Sequence, residues 1–228
     1  PGKRVSANGR IAPESAAFTW EADWIEFEKN RLEARRVEMH AIPTDDGAQG
    51  LRSPPQALKE LRAEKLVATK ESLDLEGTAH VKGATPQGDE WWIDAHKLHI
   101  DAPLVQKGIS IEDIRLIEAS GGFEAEIGVR GHMKGDRLQG HLGKLRLEGN
   151  QAELDLGSTG CRSAWIEYDT RNMLLASDKG EITRVGTGDV TAWKLAYDSL
   201  QPFDKGDKTI LALRRGELRH RVVSAAEL

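Results

Sequence analysis

The chain has 228 residues, 37 acidic and 32 basic, with a formal charge of −5. So mild and well mixed an acidity carries no basic stripe, which argues against a nucleic-acid partner. A lone cysteine, Cys161, excludes an intrachain disulfide, and no run reads as a signal peptide or a membrane-crossing helix.

Residues 1–16 are polar, with two prolines and two glycines, and read as a lead-in. Strands are predicted over about 17–28 and 32–42, split by the polar turn Glu28-Lys29-Asn30-Arg31. Residues 43–60 form an insertion rich in proline and glycine. Its end, from Pro55, has the composition of a helix start, so a short helical turn near 55–60 is expected before a strand from 61. Further strands follow at Leu73–Gly83, Trp91–Asp101 and Ile109–Leu116, then a turn at Gly121-Gly122 and a strand from Phe123 to Val129. Leu138–Leu147, Gln151–Leu156, Arg162–Tyr168, Ile182–Val185, Val190–Tyr197, Thr209–Leu213 and Leu218–Val223 complete the set. The 23 glycines fall largely where such strands should turn.

One phrase recurs along these strands: small–x–(Lys/Trp)–(Leu/Ile)–x–apolar. It begins at Ala22, Ala63, Ala95, Leu142, Ser163 and Ala192. Read at period two, its fourth and sixth positions form one face and its third and fifth the other. Ile25, Phe27, Leu66, Leu98, Ile100, Leu145, Leu147, Ile166, Tyr168, Leu195 and Tyr197 are thereby expected to point inward. Lys65, Lys97, Lys144 and Lys194 are expected to point outward. The spacing of the copies is irregular, which disfavours the fixed rung of a parallel β-helix and favours stacked irregular hairpins. Leu73-x-Leu75-x-Gly77 and Leu154-x-Leu156-Gly157 read as return strands. The fold class is therefore all-β, an elongated antiparallel β-jellyroll of about 12–16 strands over residues 17–228.

Ser163-Ala-Trp165-Ile166-Glu-Tyr168-Asp169, Ala192-Trp-Lys194-Leu195-Ala-Tyr197-Asp198 and the run from Leu61 to Asp101 carry a likeness. Their cadence resembles the OstA-like lipopolysaccharide-transport superfamily, periplasmic proteins that repeat Ala-x-x-aliphatic-x-Tyr-Asp, a turn, then aliphatic-x-aliphatic-x-Gly. It covers roughly residues 20–200. The resemblance implies a taco-shaped jellyroll whose inward side chains hold the acyl chains of lipopolysaccharide or a similar amphiphile. It further implies a periplasmic place in a Gram-negative-type envelope and end-to-end joining to other jellyroll bridge proteins through edge strands. A membrane anchor ahead of Pro1 would be compatible with it.

Other chemistry is weaker in the sequence, and no enzyme, metal or cofactor is expected. Asp94, His96, His99 and Asp101 resemble a metal set, but strict alternation would put them on two faces. His132 and His141 flank a glycine-rich stretch and could meet across a hairpin, without a third ligand. Glu112-Asp113, Glu124, Glu126 and Glu181 suit glycosidase acids but alternate with apolar neighbours, as solvated strand faces do. Trp24, Trp91, Trp92, Trp165 and Trp193 suit either sugar stacking or cover for the outer sheet surface. Two rivals to a lipid carrier thus stand: a cargo-free structural β-solenoid that polymerises, and a carbohydrate-active enzyme or sugar-binding module.

Overall fold

The computed structural model describes residues 5–11, 18–28, 30–41, 58–84, 89–102, 114–127, 131–141, 143–157, 159–169, 174–185, 192–205, 208–214 and 217–219. Every regular element in them is a β-strand, so the all-β expectation holds. The strands are β1 Val5–Ile11, β2 Phe18–Glu28, β3 Arg31–Ala41, β4 Leu58–Ala68, β5 Ser72–Ala84, β6 Glu90–Asp101 and β7 Leu116–Ile127. They continue with β8 Gly131–His141, β9 Lys144–Asp155, β10 Thr159–Asp169, β11 Leu174–Val185, β12 Ala192–Lys205, β13 Lys208–Arg214 and β14 Glu217–Arg219.

The chain divides into two compact units, Pro1–Val129 and Arg130–Leu228. In the first, β1 to β7 run as an antiparallel meander, each strand bonded to the next in the chain. In the second, β8 to β13 repeat that order, and β14 pairs with β12.

Strict alternation fails in the middle of most strands, and the failure is systematic. In β4, Leu61 and Ala63 are buried, Glu64 and Lys65 are both exposed, and Leu66 is buried again. In β6, Trp91, Ile93 and Ala95 are buried, His96 and Lys97 exposed, Leu98 and Ile100 buried. In β10, Cys161 and Ser163 precede the break, and Ile166 and Tyr168 follow it. Register shifts mark the same points, between Arg62 and Lys65, Ala95 and Lys97, and Ser163 and Trp165. An extra residue in one strand is a β-bulge, which bends the strand. The phrase therefore encodes a bulge: its first, fourth and sixth positions share the inner face, and its second and third both face out.

Return strands meet the bulge differently. Arg36 in β3, Gly77 and Thr78 in β5, Gly121 and Gly122 in β7 and Lys179 in β11 all take positive φ, between 46° and 90°. Gly121-Gly122 is thus the bend inside one strand, not a turn between two. At Gly121 a Cβ would lie 2.8 Å from the Cβ of His96, and at Gly77 it would lie 2.6 Å from Cδ of Glu64. At Gly149 it would lie 2.9 Å from the backbone nitrogen of Asp136. The second position of the phrase packs over the return glycine, which explains the aliphatic-x-aliphatic-x-Gly pattern.

Several boundaries differ from expectation. Residues 58–60 are strand, and 55–57 lie outside the described residues. Leu58 and Leu61 are both buried at a helix-like spacing because a register shift falls between Leu58 and Glu60. Leu138–Leu147 is two strands, broken at Gly143, whose φ is +85°. The copy of the phrase at Leu142 accordingly straddles a hairpin. The bulge of the neighbouring strand instead belongs to Gly135-Asp136-Arg137-Leu138-Gln139-Gly140, in which glycine replaces the small and apolar ends. The lead-in contains β1, paired with β2. Most of the predicted strand 109–116 lies outside the described residues; Leu116 opens β7.

Candidate functional site

In each unit an inner face is assembled from one row of the strands whose side chains are described. Leu66 and Leu147 are fully buried, Ile166 likewise, Ile100 is at 1% and Leu98 at 2%. Tyr168 and Tyr197 are buried too. Ile25 and Leu145 are only half-buried. Phe27, expected inside, is 48% exposed. It shares a face with Ile25, which stands opposite fully buried Ala34, but on its other side β2 has only the seven-residue β1 for cover. Leu195 lies on β12, and its side chain is outside the described set, as is that of Lys194. Lys65, Lys97 and Lys144 face solvent, as alternation requires.

Leu145 and Tyr168 are brought together at one rim of the second unit, opposite each other on β9 and β10. With Leu175 and Ala176 of β11 they contribute to the lining of a pocket of about 500 Å³. Volumes of roughly 300–1,000 Å³ are usual for small-molecule sites. Gln139, His141, Lys144, Arg146, Glu167 and Asp169 make its polar edge. Burial, and then the charge of Asp169, push the Tyr168 phenol above its ordinary pKa. Arg146 is fixed by Glu148 at 2.7 Å and Glu167 at 2.5 Å, and its guanidinium lies 5.3 Å from the centre of the Trp165 ring. Those carboxylates, Glu148 foremost, raise its pKa. Lys144, at the first position of β9, is exposed at the pocket edge and makes no ion pair among the described residues. Chemically the site offers half-buried Leu145 beside a mixed polar edge with one such cation.

Sequence reasoning reached Leu145 and Tyr168 but not Leu175, which lacks the phrase, nor the charged edge, which comes from the ends of three strands, β8, β9 and β10. Deeper in the same unit, Tyr197 reaches over Gly180, where a Cβ would lie 2.6 Å from its hydroxyl. That hydroxyl meets Ser177 Oγ and lies 3.2 Å from Cys161 Sγ. Burial drives the Tyr197 phenol far above its ordinary pKa and raises the Cys161 thiol as well. A buried, protonated thiol is a poor nucleophile, so Cys161 acts as a strand residue.

The other sequence candidates disperse. Asp94, His96, His99 and Asp101 all turn outward because the bulge cancels the parity argument. They remain apart because each has its own neighbour. Asp94 bonds His80 at 2.6 Å, His99 bonds Asp74 at 2.6 Å and Asp101 accepts from Arg115 at 2.7 Å, while His96 covers Gly121. His132 and His141 sit at opposite ends of β8 and cannot meet across a hairpin. Glu126 accepts from Trp92 Nε1 at 3.0 Å, and Glu112-Asp113 lies outside the described residues. Trp24 stacks with Arg35 at 5.5 Å on the outer surface. Trp91 departs from that expectation. It is buried on the inner face at 1% exposure, with its indole N–H unpartnered.

No protein-family model and no curated protein matches this chain. Function must therefore be argued from the site itself. No helix among the described residues is long and apolar enough to cross a membrane.

Proposed function

We propose that the chain is a non-enzymatic lipid-carrier domain of a Gram-negative-type periplasm. In this reading it holds acyl chains of lipopolysaccharide or a similar amphiphile and joins end to end with other jellyroll proteins. The observation that carries this is the pocket of about 500 Å³ at the rim of the second unit, lined in part by half-buried Leu145 and by Tyr168, two residues of the repeated phrase. An amphiphile matches such a place: the acyl chain covers half-buried Leu145, and an acidic head group reaches exposed Lys144. Joining through edges is supported by the open meander, because a terminal strand carries backbone N–H and C=O groups that another strand can satisfy.

The test is photo-crosslinking from positions 145 and 168 in envelope preparations, with mass spectrometry of an organic extract of the purified protein. The expected result is an acyl lipid in the extract and lipid adducts at both positions. A lipid-free extract with adducts to protein alone defeats the proposal.

A cargo-free structural role is the second reading, favoured by the inner face of the first unit. Leu66, Leu98 and Ile100 there are at 2% exposure or less, so their side chains are covered without any ligand. The sugar-processing reading draws less support. On the outer face Trp24, Trp92 and Trp165 are each engaged by an Arg or Glu of a neighbouring strand.

A further inference from the structure

The outer face of the first unit is a ladder of polar cross-strand neighbours. One rung runs Glu21, Glu38, Arg62, His80, Asp94 and Glu124 from β2 to β7. The next places His40 of β3 opposite Glu60 of β4. Where the two rungs meet, Glu38 and His40 are two apart on one strand and Glu60 faces them from the other. One donor atom from each of these three lies within 4.8 Å of the others. Two ligands at i and i+2 on a strand, completed by one from the neighbouring strand, all project to a single side of the sheet. One imidazole with two carboxylates is a donor set for zinc and related divalent ions, with a further position left for water.

We infer that Glu38, His40 and Glu60 form a surface site for a divalent cation of the zinc type, clipping β3 to β4. A second feature points the same way. Glu21 stands directly opposite Glu38 and adds a further carboxylate to the same rung. Arg62 is the resident cation: it lies 2.6 Å from Glu60 and 3.2 Å from Glu38. Its side chain is exposed and can turn to solvent, so the metal enters by displacing it. Rotation of the three exposed or half-exposed side chains brings their donors to the roughly 2.0–2.2 Å that zinc requires. The clip has a structural use, because residues 42–57 separate the two strands in sequence and closing a longer connection gains more.

The test is calorimetric titration of the chelator-washed full chain with zinc chloride, alongside thermal melts. The expected result is one saturable site, weakened at least about tenfold by His40→Ala and by Glu60→Gln, since each removes a ligand. Arg62→Gln, which removes the competing cation, should tighten binding severalfold. Saturating zinc should raise the melting temperature of the wild type and leave that of His40→Ala unchanged. Weak, non-saturating uptake, an adventitious ion only, overturns the inference. So does binding that survives His40→Ala, which would place the metal on another histidine, or binding that Arg62→Gln weakens.

Discussion

Gly121 and Lys179 occupy comparable positions, the left-handed residue at the bend of a return strand, yet one has no side chain and the other a long one. Gly121 lies under His96, and a methyl group there meets both an unfavourable φ of +79° and a Cβ 2.8 Å away. Lys179, at φ +47°, is exposed, so only the backbone term applies. A left-handed L-residue costs roughly 1–2 kcal/mol, partly offset by the extra chain entropy of glycine in the unfolded state. Gly121→Ala should therefore destabilise by about 1–3 kcal/mol. Lys179→Gly should be neutral or stabilise by up to about 1 kcal/mol. Urea unfolding of the two variants beside the wild type reads both signs. A tolerated Gly121→Ala would mean that the close packing of His96 does not hold the bend.

At the scale of the strand, the bulge predicts a labelling pattern that no straight strand gives. In a background with Cys161 replaced, single cysteines at 95, 96, 97 and 98 of β6 should react slowly, fast, fast and slowly. Strict alternation would give two slow and two fast positions in turn, so equal protection of 96 and 98 would remove the bulge. The same feature explains how far the sequence could be read. Apolar residues at period two located the strands, and the phrase located Leu66, Leu98, Ile166 and Tyr168 on the buried face. What period two hides is a change of phase. Ala63 and Leu66 are three apart and were assigned no common face, although both are buried, because an alternating pattern has no place for an extra residue. Glycine hides the rest: Gly135 and Gly140 stand where Ala and an aliphatic are expected, so the copy in β8 lacks the recognisable ends of the phrase and the sequence pattern runs through the hairpin as one strand. The pocket was half legible for a related reason. Alternation within strands places Leu145 and Tyr168, whereas His141, Lys144, Arg146 and Asp169 meet only because hairpin ends stack.

For the whole molecule the question is whether the inner face is a filled core or a surface kept for cargo, and two residues of that face separate the answers. Leu98, at 2% exposure, sits among side chains already in contact with one another. An unpaired carboxylate buried there costs several kcal/mol, against a total stability of about 5–15 kcal/mol for a typical domain. Leu98→Asp should therefore unfold the first unit, or lower its melting temperature severely, whatever the cargo. Leu145 is half-buried and lines the pocket, so an aspartate in its place can reach water and should cost far less. If acyl chains lie in that pocket, Leu145→Asp keeps a cooperative melt while lipid in the organic extract falls to background. A folded Leu145→Asp protein that carries as much lipid as the wild type would remove the pocket from the proposal. Unfolding of both variants, with crosslinks to protein alone, would mean that the face is a core along its whole length and that the chain serves as a cargo-free scaffold.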